Sequence, residues 1–361
     1  MKITPRKDTQ YLSSLRSLTI LLVVVYHVFY LFNTLGVLGS LPHTQPVPGE
    51  KFLLPFVYPW FMVLLFVISG TCACYALEKT SNRSWLKSRA VKLLVPSTAG
   101  LFVFQWITGW LNIYYGGGLD YIPSFLLYPI AVLSGTGPLW FIQELFLFCL
   151  LLALLRKWRK EPFEWPEGIQ GALLLFGLGV LLWLSSCVLN MPVITVYRFG
   201  IYAFAFLVGY YVFPTAGVQS LLKTYAFWYG LAAAALGVFY LMQVWGANYT
   251  ESAVLESWYT NLYAWAMVLT LLGLGARYLN RQTPFLAFLE RESYGIYILH
   301  YPIMMLLCSF MAYQLHIQGL LCFVIAVPLI LVLAVGLNWI LSRIPVLRTL
   351  ILGLPWKSKT A

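Results

Sequence analysis

Few residues in this chain could do chemistry, and they stand in apolar surroundings. Arg16 and His27 lie in LRSLTILLVVVYHVFYLFNTL (15–35), Glu144 in PLWFIQELFLF and His300 in SYGIYILHYPI. Arg16 and His27 are eleven residues apart. At ~100° and ~1.5 Å per residue, a helix puts both on one face, ~16 Å apart along its axis. Neutral imidazole can take a proton from a hydroxyl near neutral pH. A buried carboxylate can orient and charge-balance such a base, so Glu144 is the expected partner of His27. The same groups could instead move protons through a transporter.

These residues need a membrane scaffold. The 361-residue chain is 61% hydrophobic and only 10% charged, far below the ~25% charged share of a soluble domain. This predicts an all-α, polytopic membrane bundle, a single membrane domain over residues 1–361. Ten apolar runs are long enough to cross a bilayer, at about 15–35, 53–77, 93–114, 138–155, 170–189, 197–213, 222–245, 259–276, 294–313 and 319–341. Residues 121–134, with Pro123 and Pro129, read as a re-entrant or surface segment. The basic start MKITPRKDTQ precedes a run too long for a signal-peptide core, with no small-residue cleavage site, so it reads as an uncleaved first span.

Charge fixes the orientation. With the N-terminus inside, ten spans put every one of the 23 basic residues except Lys51 and Arg198 on the inner side. That is the positive-inside pattern, with both termini cytoplasmic. The net charge of +11 therefore follows topology and the lipid surface and does not indicate nucleic acid. On this map His27 lies ~18 Å above the inner surface and Glu144 ~9 Å below the outer one, nearly level in a core ~30 Å thick. His300, in a span taken to start at residue 294, lies ~9 Å above the inner face.

Other residues bear on binding. Arg89 and Lys92 are three apart and face one way on a helix, beside the level of Arg16, where an anionic cytosolic ligand would neutralise them. Ser69 and Gly70 sit in the inner half of the second span. Arg198 heads the sixth span against the positive-inside bias, which an outer-face substrate or an acidic partner would explain. The six cysteines lie in apolar runs, none has the Cys/His spacing of a zinc site, and no metal is expected.

In this order, these motifs resemble membrane acyltransferase family 3, the bacterial membrane O-acyltransferases of surface and periplasmic glycans. The motifs are Arg16 and His27 in the first span, FVISG in the second, Arg89 and Lys92 ahead of LLVP, LWFIQE in the fourth span and SYGIYILHYPI in the ninth. The closing RIPVLRTLILG resembles the glucan succinyltransferase branch. The chain departs from the family in having Ser13 and Ser14 where Asp or Asp-Gly is frequent, and Lys92 where a second arginine stands. Lysine brings charge without a bidentate fork.

The resemblance implies transfer of an acetyl or succinyl group from cytosolic acyl-CoA to a hydroxyl of an extracytoplasmic glycan, at the bacterial cytoplasmic membrane. It implies His27 and Glu144 as catalytic residues. It assigns Arg16, Ser69, Arg89, Lys92 and His300 to the donor side, and Trp140 and Arg198 to the acceptor side. The rival class is a proton-coupled secondary transporter using His27 and Glu144, although no matched pair of broken spans or internal symmetry accompanies it.

Overall fold

The computed structural model describes Thr4, residues 6–191 and residues 196–356. Lys2, Lys357 and Lys359 of the charge pattern lie outside the described residues, as do the side chains of Arg6 and Lys7. Among the described residues the secondary structure is helical, apart from an isolated antiparallel bridge between Asn190 and Arg198.

In chain order the principal helices are α1 (Tyr11–Leu31), α2 (Glu50–Leu77), α3 (Asn82–Tyr115), α4 (Ser124–Ser134), α5 (Leu139–Leu155), α6 (Gly168–Ser186), α7 (Phe199–Tyr211), α8 (Ala216–Val244), α9 (Trp258–Tyr278), α10 (Pro284–Tyr313), α11 (Gly319–Leu341) and α12 (Pro345–Leu350). Each of the ten expected spans falls on one of them. Seven are long and apolar enough to cross a membrane alone: α1, α2, α3, α6, α8, α10 and α11. An eighth forms if α4 and α5 count as one span bent by 63°. Helix α7 has 13 residues, a rise of only ~20 Å. Helix α9 is long enough but buries the polar Thr260, Asn261 and Thr270.

The chain forms two compact units. The first takes residues up to Thr19, Lys51–Trp85 and Phe148–Glu290. Its helices approach closely at glycines, as membrane helices do in the absence of a water-driven hydrophobic force. A Cβ on Gly70 would run into the Phe206 carbonyl, and one on Gly209 into the Val67 carbonyl, so α2 and α7 touch backbone to backbone. Several buried donors bond to backbone carbonyls, such as Trp265 Nε1 to Leu175 at 2.9 Å and the Tyr229 hydroxyl to Ala172 at 3.1 Å. Tyr11, wholly buried, donates to Gln219 Oε1 at 2.7 Å and anchors the start of α1.

The second unit takes Ile20–Glu50, Leu86–Leu147 and the chain from Arg291 on. Two π-turns interrupt α3, at Ala90–Leu94 and Leu101–Gln105. The first precedes Pro96, which has no N–H to give the Lys92 carbonyl; the Tyr294 hydroxyl of α10 donates to that carbonyl instead. In the second, the Trp106 N–H bonds to Leu101. The Phe102 carbonyl, which a regular turn would give to Trp106, accepts from Tyr128 of α4 at 2.8 Å. Gly109 lets α3 and α4 meet backbone to backbone at the Ala131 carbonyl. Most of the segment 121–134 thus forms a helix, Ser124–Ser134, held to α3 and turned sharply from α5 at Gly135–Pro138.

Candidate active site

His27 and His300 define the site, and both belong to the second unit. His27 sits on α1, half-buried, and His300 on α10, fully buried. Their rings lie 5.2 Å apart at 32°. His300 Nε2 and His27 Nδ1 are 3.1 Å apart, a hydrogen bond. Tyr301 packs edge-on against His27, with centroids 5.1 Å apart.

The neighbours of His300 settle where the protons are. Its Nδ1 faces two backbone carbonyls, Tyr297 at 2.8 Å and Ile296 at 3.1 Å. Carbonyls only accept, so Nδ1 carries the hydrogen. In the neutral ring Nε2 then presents a lone pair, and the hydrogen shared with His27 belongs to His27 Nδ1. That leaves the lone pair of His27 on Nε2, the arrangement a general base needs.

This corrects the expected position of His300 near the cytosolic face. Helix α10 opens at Pro284, ten residues before the apolar run. His300 follows Pro284 by sixteen residues, the same count that separates Tyr11 from His27 on α1. Both histidines therefore stand ~24 Å along their helices. The early turns of α10 escape a hydropathy reading because they carry charge, but that charge is paired. Glu292 accepts from Arg291 at 2.6 Å and from Asn338 of α11 at 2.7 Å, and Glu290 accepts from Ser14 at 2.9 Å.

The bond expected from Glu144 on His27 is made by His300. Glu144 is fully buried on α5, and its neighbour Gln143 donates to the Ser97 carbonyl of α3 at 3.2 Å. Trp140, half-buried, lies one turn earlier on α5. The elbow before α5 reaches the histidines through Tyr297, whose hydroxyl donates to the Pro138 carbonyl and whose ring is 6.1 Å from His300.

Arg89 and Lys92 converge on Tyr294. The Lys92 ammonium stands 5.3 Å from the centre of the Tyr294 ring, and Arg89 lies three residues before Lys92 on α3. Arg89 is half-buried and Lys92 exposed. Tyr294 lies six residues before His300 on α10, so that helix carries both the tyrosine approached by Lys92 and one histidine of the imidazole pair.

The remaining candidates belong to the first unit. Arg16 is half-buried on α1. Ser69 is half-buried beside Gly70, whose missing side chain serves the α2–α7 contact. Arg198 is buried and donates to the Leu255 carbonyl at 2.9 Å, next to Asn190, which donates to Glu256 at 2.8 Å. Its placement against the charge bias thus has a structural reason in a buried loop contact.

Sequence reasoning passed over Gln105, Gly137 and Pro138, since no local pattern marks a π-turn or its neighbours.

A helical membrane bundle with a buried imidazole pair defines the class of the protein, and comparison adds the family. The acyltransferase domain model of acyltransferase family 3 matches residues 9–343, and the chain belongs to that family. It is a membrane acyltransferase. No curated protein and no solved structure matches the chain.

Proposed function

We propose that the protein transfers an acetyl or succinyl group from acyl-CoA to a hydroxyl of an extracytoplasmic glycan, with His27 as the general base, in the bacterial cytoplasmic membrane. The observation that carries this reading is the His300–His27 hydrogen bond, which leaves His27 Nε2 with its lone pair. The acceptor oxygen attacks the thioester carbon as its proton passes to His27 Nε2. The tetrahedral intermediate then collapses, the C–S bond breaks, and the CoA thiolate takes the proton from His27.

The other residues have supporting parts. His300 is a positioning residue that holds the His27 tautomer. We assign Glu144 to balancing the charge as the imidazolium forms. Arg89 and Lys92, grouped at Tyr294, are assigned to the phosphates of CoA, which suit clustered cations. Arg16, on the helix of His27, is assigned to the donor as well, with Ser69 as a further donor-side contact. Trp140 and Arg198 are placed on the acceptor side. The glucan succinyltransferase resemblance of the closing segment favours a glucan acceptor and a succinyl donor.

The test is to incubate the purified protein with labelled acetyl-CoA or succinyl-CoA and a panel of glycans that includes glucan oligosaccharides. Labelled glycan with matching thiol release supports the reading. Proton-linked uptake into liposomes without thioester cleavage would replace it with the transporter.

A further inference from the structure

In the second unit, Gln105 carries a side-chain amide to which the proposed mechanism gives no part. It closes the π-turn Leu101–Gln105 of α3 and is fully buried. Neither its amide nitrogen nor its amide oxygen has a hydrogen-bond partner among the described residues. One turn further along the same helix, Thr108 is also buried, and its hydroxyl likewise has no partner among them. Buried amides are rarely left this way, because the lost water is not replaced. π-Turns recur at functional sites, where they re-aim a side chain at a cost in helix regularity.

The surroundings have been cleared for this amide. Gly137 in the elbow before α5 has φ +46°, and a Cβ there would collide with Gln105 Nε2. A Cβ on Gly135 would collide with the backbone carbonyl of Gln105, so the elbow also packs against the turn that carries the amide. The same point above Gly137 lies 3.2 Å from Cδ1 of Tyr301, the ring that packs edge-on against His27. The amide therefore lies at the edge of the ring that flanks the proposed base.

From this geometry we infer that Gln105 Nε2–H donates to the acyl carbonyl oxygen as it becomes an oxyanion. The inference rests on the acyl-transfer reading with His27 as base, and it holds for any acyl donor, since each passes through the same tetrahedral carbon. When the acceptor oxygen bonds to that carbon, the carbonyl π pair moves to oxygen, the proton goes to His27 Nε2, and Gln105 holds the negative oxygen. As the leaving group departs, the C=O bond reforms. The donor waits, preorganised, in the protein interior, where such a contact is worth far more than in water.

The experiment compares wild type, Gln105→Met, Gln105→Asn and His27→Ala, using acetyl-CoA and succinyl-CoA as probes. It reads thiol release with a glucan oligosaccharide present and the thermal midpoint in detergent. Methionine keeps the shape of glutamine without a donor. Gln105→Met is expected to lose roughly 10²- to 10³-fold in kcat with donor KM little changed. Its midpoint should be unchanged or raised, because an unpartnered amide leaves the core. Gln105→Asn keeps an amide and should fall between the two in kcat. Wild-type kcat in Gln105→Met with a dead His27→Ala overturns this inference alone. Near wild-type turnover in His27→Ala overturns the underlying reading. Where neither probe turns over, the midpoint still decides: a fall of several degrees in Gln105→Met makes the amide part of the fold and overturns the inference, and no fall sustains it.

Discussion

His300 Nε2 and His27 Nδ1 share a hydrogen bond at 3.1 Å while His300 Nδ1 faces only backbone carbonyls. In the proposed mechanism, two imidazoles in series serve as orienter and base. In that mechanism a neutral ring takes the orienting part that a carboxylate has in other base–orienter pairs.

The tautomer can be read directly. The chain has four histidines, so a ¹⁵N-histidine spectrum is simple to assign with His27→Gln and His300→Gln. At neutral pH, His27 should carry its proton on Nδ1, with an unprotonated Nε2. A proton on His27 Nε2 would remove the base from the proposal.

Replacing His300 should slow the reaction without ending donor binding. His300→Ala frees His27 to rotate and change tautomer. We expect kcat to fall by roughly 10²-fold or more, within the range of general-base effects, with donor KM nearly constant. Steady-state kinetics decide this; an unchanged kcat would show that His300 only fills space.

Much of this was legible in the sequence, and the exceptions have physical causes. The helical bundle and the Arg16–His27 pair follow from apolar runs and the 3.6-residue period. The partnership of His27 with His300 was hidden because the early turns of α10 carry Glu290, Arg291 and Glu292, which cut the apolar run short. Those charges are tolerated through Ser14 and Asn338, from distant parts of the chain. Gln105 was hidden for another reason: a π-turn adds a residue to one helical turn, and no periodicity of side chains announces it.

The cationic pair at Tyr294 should govern donor affinity. Arg89→Ala or Lys92→Ala should each raise KM for acyl-CoA about tenfold, the loss of one charge-assisted contact worth ~1.5 kcal/mol. Lys92→Arg should restore it, and kcat should hold. Unchanged KM in both alanine variants would leave these residues to topology.

The α2–α7 contact predicts a stability effect. Gly70→Ala forces a methyl group against the Phe206 carbonyl, and overpacking of this kind costs about 1–3 kcal/mol. The thermal midpoint in detergent should fall clearly, whereas Gly177→Ala, with nothing within 4 Å of its Cβ position, should not lower it. Equal midpoints for the two variants would contradict the backbone contact.

The most direct test of the account is His27→Ala, purified and incubated with labelled acyl-CoA and the acceptor used by the wild type. The account predicts transfer reduced to background in a protein that inserts, keeps its helix content and melts near the wild-type temperature. Transfer at near wild-type rate in that variant would contradict it.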